Sequence, residues 1–205
     1  MRYALSVAGA SLAVSSAHAD VITSPAAILA NTAGSFSSTQ VEDAFNGSGL
    51  TPTFESGVTD FDDYLALNPL HTNLFEGAEW FSRGPGSVDL DLGATLLITR
   101  LAIWNEEGDN GVGDLRVSVA SDSSFSDLTE IGSFAPASNP VGLEYPAEVL
   151  DVTDTLGRFV RLEFVSADFD NFGLGEIAFA TQIPAPSSAL TLAALGIGIT
   201  RRRRV

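Results

Sequence analysis

Between residues 20 and 183, apolar positions come in short runs of Val, Ile, Leu and Phe, separated by clusters of Gly, Pro, Asn, Asp and Ser. No stretch longer than about ten residues sustains an apolar 3.6-residue period, so the pattern predicts strands rather than helices. The clearest candidates are 88–92, 96–104, 115–120, 147–152, 158–165 and 175–181. Alternation assigns faces within two of them. Leu115, Val117 and Val119 share one side, with Arg116 and Ser118 opposite; Val160, Leu162 and Phe164 oppose Arg161 and Glu163. One dry face and one wet face per strand predict an all-β domain of two packed antiparallel sheets, a sandwich or jelly roll.

The two ends follow different patterns. Arg2, an apolar stretch over 3–14 and the small-x-small sequence Ala17-His18-Ala19 predict a secretory signal peptide over 1–19, with the mature chain starting at Asp20. An N-terminal core helix is the alternative, weakened by Gly9 and the serines. At the other end stand Ile183-Pro184-Ala185-Pro186, a largely apolar run over 187–200, and then Arg201, Arg202, Arg203 and Arg204 before Val205. The 18 residues from Ile183 to Thr200 are close to the roughly 20 that cross a bilayer. The arginines resist translocation, which places the body on the opposite side of the membrane from them. A tail packed on the domain is the alternative, poor core chemistry for four consecutive arginines.

This order of parts resembles the PEP-CTERM sorting signal of exported proteins in Gram-negative bacteria. The resemblance implies recognition by an exosortase-like processing protease and transient anchoring in the inner membrane. Ala185 stands where the family motif has Glu, which bears on cleavage at Pro184 to Pro186.

Composition narrows the function. The 164 residues of 20–183 suffice for a sizeable core, and the chain is 45% apolar. The formal charge is −16, yet all 26 carboxylates lie within 20–183 against five arginines and no lysine, leaving the body at −21. Nucleic-acid affinity rests on cations that neutralise phosphates, so a nucleic-acid partner is excluded. The absence of Cys removes disulfides, thiolate nucleophiles and Cys-ligated zinc.

From Asn31 to Thr181 the body is similar to the galactose-binding-like, discoidin or coagulation-factor type C domains. The resemblance is carried by Ala44-Phe45-Asn46-Gly47-Ser48-Gly49 at the family's Asp-Gly-Asn loop, Glu79-Trp80-Phe81-Ser82 at its Trp-Ser segment and Val88-Asp89-Leu90-Asp91-Leu92-Gly93 at its Asp-Leu-Gly strand. Ile98 to Ile103, Leu115 to Asp122, Gly157 to Leu162 and Gly173 to Phe179 follow in the family's order. It implies a jelly-roll β-sandwich over 20–182, with the signal peptide before it and the sorting segment 183–205 after it.

Catalytic chemistry has few carriers. His71 is the one imidazole of the predicted mature chain, without a Gly-x-Ser-x-Gly elbow, and reads as a surface or loop residue. Asp60, Asp62 and Asp63, and Glu106, Glu107 and Asp109, are dense enough for an acid pair of the glycosidase kind, but in so acidic a chain they read as solvated loops or weak cation sites rather than as acid/base pairs. No catalytic residue is assigned. The family resemblance implies a Ca²⁺ held by Asn46, Ser48 and Glu176, with Asn46 in place of the usual Asp; alternatively, Asn46-Gly47 is only a tight turn and Glu176 faces solvent. Residues 108–114 lack the spacing of a calcium loop and read as a strand connection. For a sugar, the candidates are His71, Trp80, Phe81 and Arg83, where an aromatic face would stack on a ring, although Trp80 equally suits core packing. These readings converge on an exported, non-catalytic protein at the cell surface, in the periplasm or secreted, that binds a carbohydrate or exopolysaccharide. The alternatives are an adhesive matrix protein without a sugar pocket and, third, a secreted carboxylate-dependent hydrolase.

Overall fold

The computed structural model of the chain describes residues 19–74, 78–106, 108–167 and 171–183. The predicted signal peptide, apart from Ala19, and the predicted sorting segment, apart from Ile183, lie outside the described residues. No helix among the described residues is long and apolar enough to cross a membrane.

Strands β1 (Val21–Thr23) and β2 (Ala27–Asn31) open the fold, followed by β3 (Leu50–Thr51), helix α1 (Phe61–Ala66), β4 (Leu70–His71) and β5 (Trp80–Phe81). Then come β6 (Gly86–Asn105), β7 (Val112–Ala120), β8 (Thr129–Phe134), β9 (Tyr145–Pro146), β10 (Glu148–Ala167) and β11 (Gly173–Gln182). The main sheet has the order β1-β11-β6-β10-β7-β8, with β2 added on β6 and β5 on β11; β3, β4 and β9 form a second, small sheet. All pairings are antiparallel.

Four of the six expected strands merge into two long ones. The segments expected at 88–92 and 96–104 are both parts of β6, and those at 147–152 and 158–165 are both parts of β10. Gly93 is where the apolar pattern breaks: at φ +83° it sits in the left-handed region and bends β6 without ending it. Opposite, β10 slips register between Asp151 and Thr155 and again between Gly157 and Phe159. The first half of β6 pairs with β2 and the second half of β10; its second half pairs with β11 and the first half of β10. Both strands thus pass from one layer of the sandwich into the other, and one continuous ladder supplies both layers.

The predicted alternation holds in β7 and β10. Leu115, Val117, Val160, Leu162 and Phe164 enter the core, while Arg116, Arg161 and Glu163 face outward. Trp80 lies at the centre of this core, fully buried, with its ring edge-to-face to Phe164 (5.6 Å) and Phe172 (5.4 Å).

A second cluster covers the outer side of β11 and the second half of β6. Phe61 and Tyr64 of α1, with Leu50 and Tyr145 of the small sheet, pack on Ala102, Trp104, Ala178 and Ala180. Nine of the ten residues of β11 are therefore buried, on both faces, and the strand reads as a nearly unbroken apolar run. Helix α1 spans six residues and is capped by Asp60, whose carboxylate accepts from the Asp63 N–H at 2.9 Å. Asp62 and Asp20 both grip Arg100, at 2.6 and 2.7 Å. The 60–63 acids thus anchor a helix to a sheet.

Candidate functional site

The residues expected to touch a sugar lie mostly inside the protein. His71, read as a surface or loop residue, is fully buried in β4. Its ring nitrogens lie 2.7 Å from the Thr72 carbonyl and 2.9 Å from the Ser48 carbonyl. A neutral ring donates to only one of them at a time. Burial pulls its pKa below the ordinary value, against backbone hydrogen bonds to Thr72, Ser48 and Ala78 that push the other way. Trp80 takes the core role: its indole N–H donates to the Gly34 carbonyl and the Ser35 hydroxyl, both at 3.1 Å. Phe81 is buried beside it in β5, which pairs with β11. Arg83 alone is exposed; its Nε donates to the Ser35 carbonyl at 2.8 Å, which ties it to the segment that holds Trp80. No aromatic face in this group is open to stack on a ring.

His71 is instead part of a buried polar network that ties the loops of one end together. A Cβ at Gly49 would stand 2.7 Å from the imidazole, and one at Gly175 would stand 2.8 Å from its other edge and 2.7 Å from the Tyr145 hydroxyl. Only glycine permits this approach from either side. The Tyr145 O–H donates to the buried Glu79 carboxylate at 2.7 Å. Tyr145 carries no local sign of this contact in the sequence, because only the β4–β9 pairing, His71 opposite Tyr145, brings it here.

The three residues expected around calcium do meet. A register shift between Leu174 and Glu176 turns Leu174 into the main core and leaves Glu176 facing the loop at 46–49. Glu176 does not face solvent: it is fully buried, one carboxylate oxygen (Oε2) accepts from the Gly47 N–H at 2.8 Å, and the other (Oε1) has no hydrogen-bond partner. Burial raises its pKa well above the usual carboxylate range, despite backbone hydrogen bonds from Gly47 and Asn46. The Asn46 side-chain oxygen accepts from the Ser48 N–H at 2.7 Å, and Gly47 has φ +73°, so the tight turn expected as the alternative is present. A buried carboxylate oxygen without a partner, beside a turn rich in carbonyl and amide oxygens, is a donor set that fits a hard cation.

Of the second acid group, Glu106 is buried just after β6, Glu107 lies outside the described residues, and residues 108–110 form a single 3-10 turn leading into β7, the strand connection the sequence predicts. Among the described residues, no group of three or more His, Asp or Glu side chains converges as a metal cluster.

One open groove lies on the outer face of the main sheet, on residues the sequence marks only as wet. It encloses about 450 Å³. Arg161, Glu163 and Val165 of β10 line it, together with Thr32, Pro85 and Ser87 along one side and Leu128 on the other. Two smaller hollows, of about 220 and 170 Å³, lie beside Asp127 and beside Asn46.

No protein-family model matches the chain, and no curated protein is similar to it. Among solved structures, it is similar to CBM32-1 from a family 31 glycoside hydrolase of Clostridium perfringens, with a TM-score of 0.52 and 12% identity over 77% of this chain and 96% of that one. The family 32 CBM of C. perfringens NanJ, in complex with galactose, gives 0.52 and 10% over 78% and 98%. The structure of the CBM32-1 and CBM32-2 domains of C. perfringens ZmpB gives 0.54 and 11%, covering 78% of this chain and 35% of that one. At these identities the likeness establishes the fold alone, an antiparallel jelly-roll β-sandwich.

Proposed function

We propose that this protein is an exported, non-catalytic carbohydrate-binding module acting on a glycan or exopolysaccharide at the cell surface or in the extracellular matrix. The observation that carries the reading is the sandwich itself, shared over 77% or more of the chain with carbohydrate-binding modules, one of them solved with galactose. The non-catalytic part is supported by where the acids stand: Asp60 caps a helix and Asp62 grips Arg100.

Calcium belongs to the proposal as a structural ion. Glu176 would hold it through its buried carboxylate, with Asn46, Ser48 and the carbonyls of their loop completing the shell. The ion would supply the positive charge that Glu176 lacks in its buried setting. The ends complete the picture: the stretch over 1–19 exports the body, and Pro184, Ala185, Pro186 and the arginines 201–204 address it to an exosortase-like protease after transient inner-membrane anchoring.

A glycan array probed with the purified full chain in calcium tests this reading. Saturable binding to at least one glycan class is expected. Uniform failure by folded protein would overturn it in favour of an adhesive matrix protein, and turnover of a polysaccharide would revive the hydrolase.

A further inference from the structure

We infer that the carbohydrate site is the groove on the outer face of the main sheet, built on Arg161 and Glu163, and that it takes an uncharged glycan; this rests on the carbohydrate-binding reading above. The groove's floor is the wet side of β10, where Arg161 stands opposite Asp89 and Glu163 opposite Ser87 in the ladder with β6. Its volume of about 450 Å³ lies within the roughly 300–1,000 Å³ of small-molecule sites.

Arg161 is held ready for a ligand. Asp89 takes its Nε and Nη2 at 2.6 and 2.7 Å, and its guanidinium lies 5.0 Å from the Phe125 ring centroid. Among the described residues Nη1 has no hydrogen-bond acceptor, on a side chain that Asp89 already holds in place. Phe125 reaches this position from the loop before β8, packing edge-on against Phe159 at 6.2 Å. Its φ of +53° is a backbone conformation that bulky residues rarely adopt, so the packing around it must offset a cost of about 1–3 kcal/mol. The same loop delivers Leu128, 40% exposed, to the rim.

Opposite Leu128, the hydroxyls of Thr32 and Ser87 lie 3.1 Å apart and exposed. The Glu163 carboxylate is half exposed and touches Arg116 only at 3.5 Å, so its oxygens are open to hydroxyl donors. The Nη1 donors, a carboxylate acceptor and two hydroxyls flanked by Leu128 and Pro85 match a sugar ring, which presents hydroxyls at its edge and C–H groups on its faces. Charge selects the class. Arg161 and Arg116 balance Asp89 and Glu163 at the groove, while the body as a whole stands at −21. Uronates would meet net repulsion, and at the groove Arg116 and Arg161 already stand against Glu163 and Asp89.

The test titrates the full chain, in calcium, with lactose, cellobiose and diacetylchitobiose as neutral disaccharides, with a glucosamine dimer and with a galacturonate dimer. Hydrogen–deuterium exchange locates the bound sugar. The expected result is protection of peptides spanning 126–130 and 160–166 by a neutral sugar. Affinity should fall about tenfold or more in Glu163→Gln, as loss of a charge-assisted hydrogen bond implies, and also fall in Leu128→Ala, with both variants melting like the parent. Neutral-sugar binding that protects the 46–49 and 70–74 loops and is unaffected by Glu163→Gln would overturn the groove while leaving the carbohydrate reading intact. Binding confined to the charged dimers would overturn the uncharged class. Failure of all five probes together with the array would overturn the reading on which the groove rests.

Discussion

The buried carboxylate of Glu176 accepts a hydrogen bond of 2.8 Å from the backbone N–H of Gly47, joining the last strand to a loop 129 residues earlier in the chain. Its second oxygen has no hydrogen-bond partner among the described residues, so the contact satisfies only half of a costly buried group.

A cation at this place would offset that cost. Calcium at about a hundred times its dissociation constant would stabilise the fold by about 2.7 kcal/mol, a rise of several degrees in melting temperature for a domain of this size. Chelation should reverse the rise, and Glu176→Gln should abolish the response. Superimposable melts with calcium and with chelator would remove the ion from the account.

Trp80 should matter to folding and not to ligand affinity. Truncation to Ala leaves a cavity between Phe164 and Phe172 and strips donors from Gly34 and Ser35, a loss of about 3–5 kcal/mol in urea denaturation. Trp80→Phe, which keeps most of the volume, should fold and bind glycan like the parent. Weakened binding in a Trp80→Phe protein of near-normal stability would restore the residue to the ligand site.

The two glycines that enclose His71 should resist substitution. Gly175→Ala drives a methyl into the Tyr145 hydroxyl and the imidazole, and Gly49→Ala does the same from the other side while also straining a residue at φ +81°. Each should cost on the order of 1–3 kcal/mol in thermal or urea melts. Gly57→Ala, where nothing lies within 4 Å, should cost less despite its φ of +77°.

Acid should unfold the protein partly through Asp20. Burial pushes its pKa up, but hydrogen bonds from Arg100, Gln182 and Thr99 outweigh burial and hold it below the ordinary 3.8. A carboxylate whose pKa is depressed in the folded state adds stability at every pH above its unfolded value. That stability is lost as pH falls from the unfolded value through the folded one, so the contribution starts to fade below about pH 4 and is gone once the pH lies below the folded value. Asp20→Asn should therefore be less stable at pH 7 by about 1.5–3 kcal/mol and should show a flatter acid limb in melting temperature against pH. An acid limb parallel to that of the parent would show that the ion pair contributes nothing there.

How much of this was legible in the sequence depends on the range of the forces involved. The faces of β7 and β10 follow from a period of two, a property of each strand alone, so Arg161 and Glu163 were correctly placed on the wet side. The two-residue strands β3, β4, β5 and β9 carry no period and exist only because a distant partner pairs with them. Gly93 looked like a boundary because a bend and a break use the same residue. Helix α1, at six residues, is shorter than any periodic signal. An aromatic residue suits a core and a sugar equally well, and nothing local to Trp80 or His71 reveals that both are enclosed. Nothing local to Glu176 marks it as buried; the family resemblance alone points to it. The groove has no local signature, because Thr32, Ser87, Leu128 and Glu163 meet through ladder register and a folded-over loop, neither of which is encoded in any one segment.

A crystal structure of the protein soaked with a neutral disaccharide is the most direct measurement. Sugar density over β10, with its hydroxyls on Glu163 and Ser87 and its C–H face on Leu128, is the predicted result. Sugar density at the 46–49 end of the sandwich, with the sheet face bare, would contradict it.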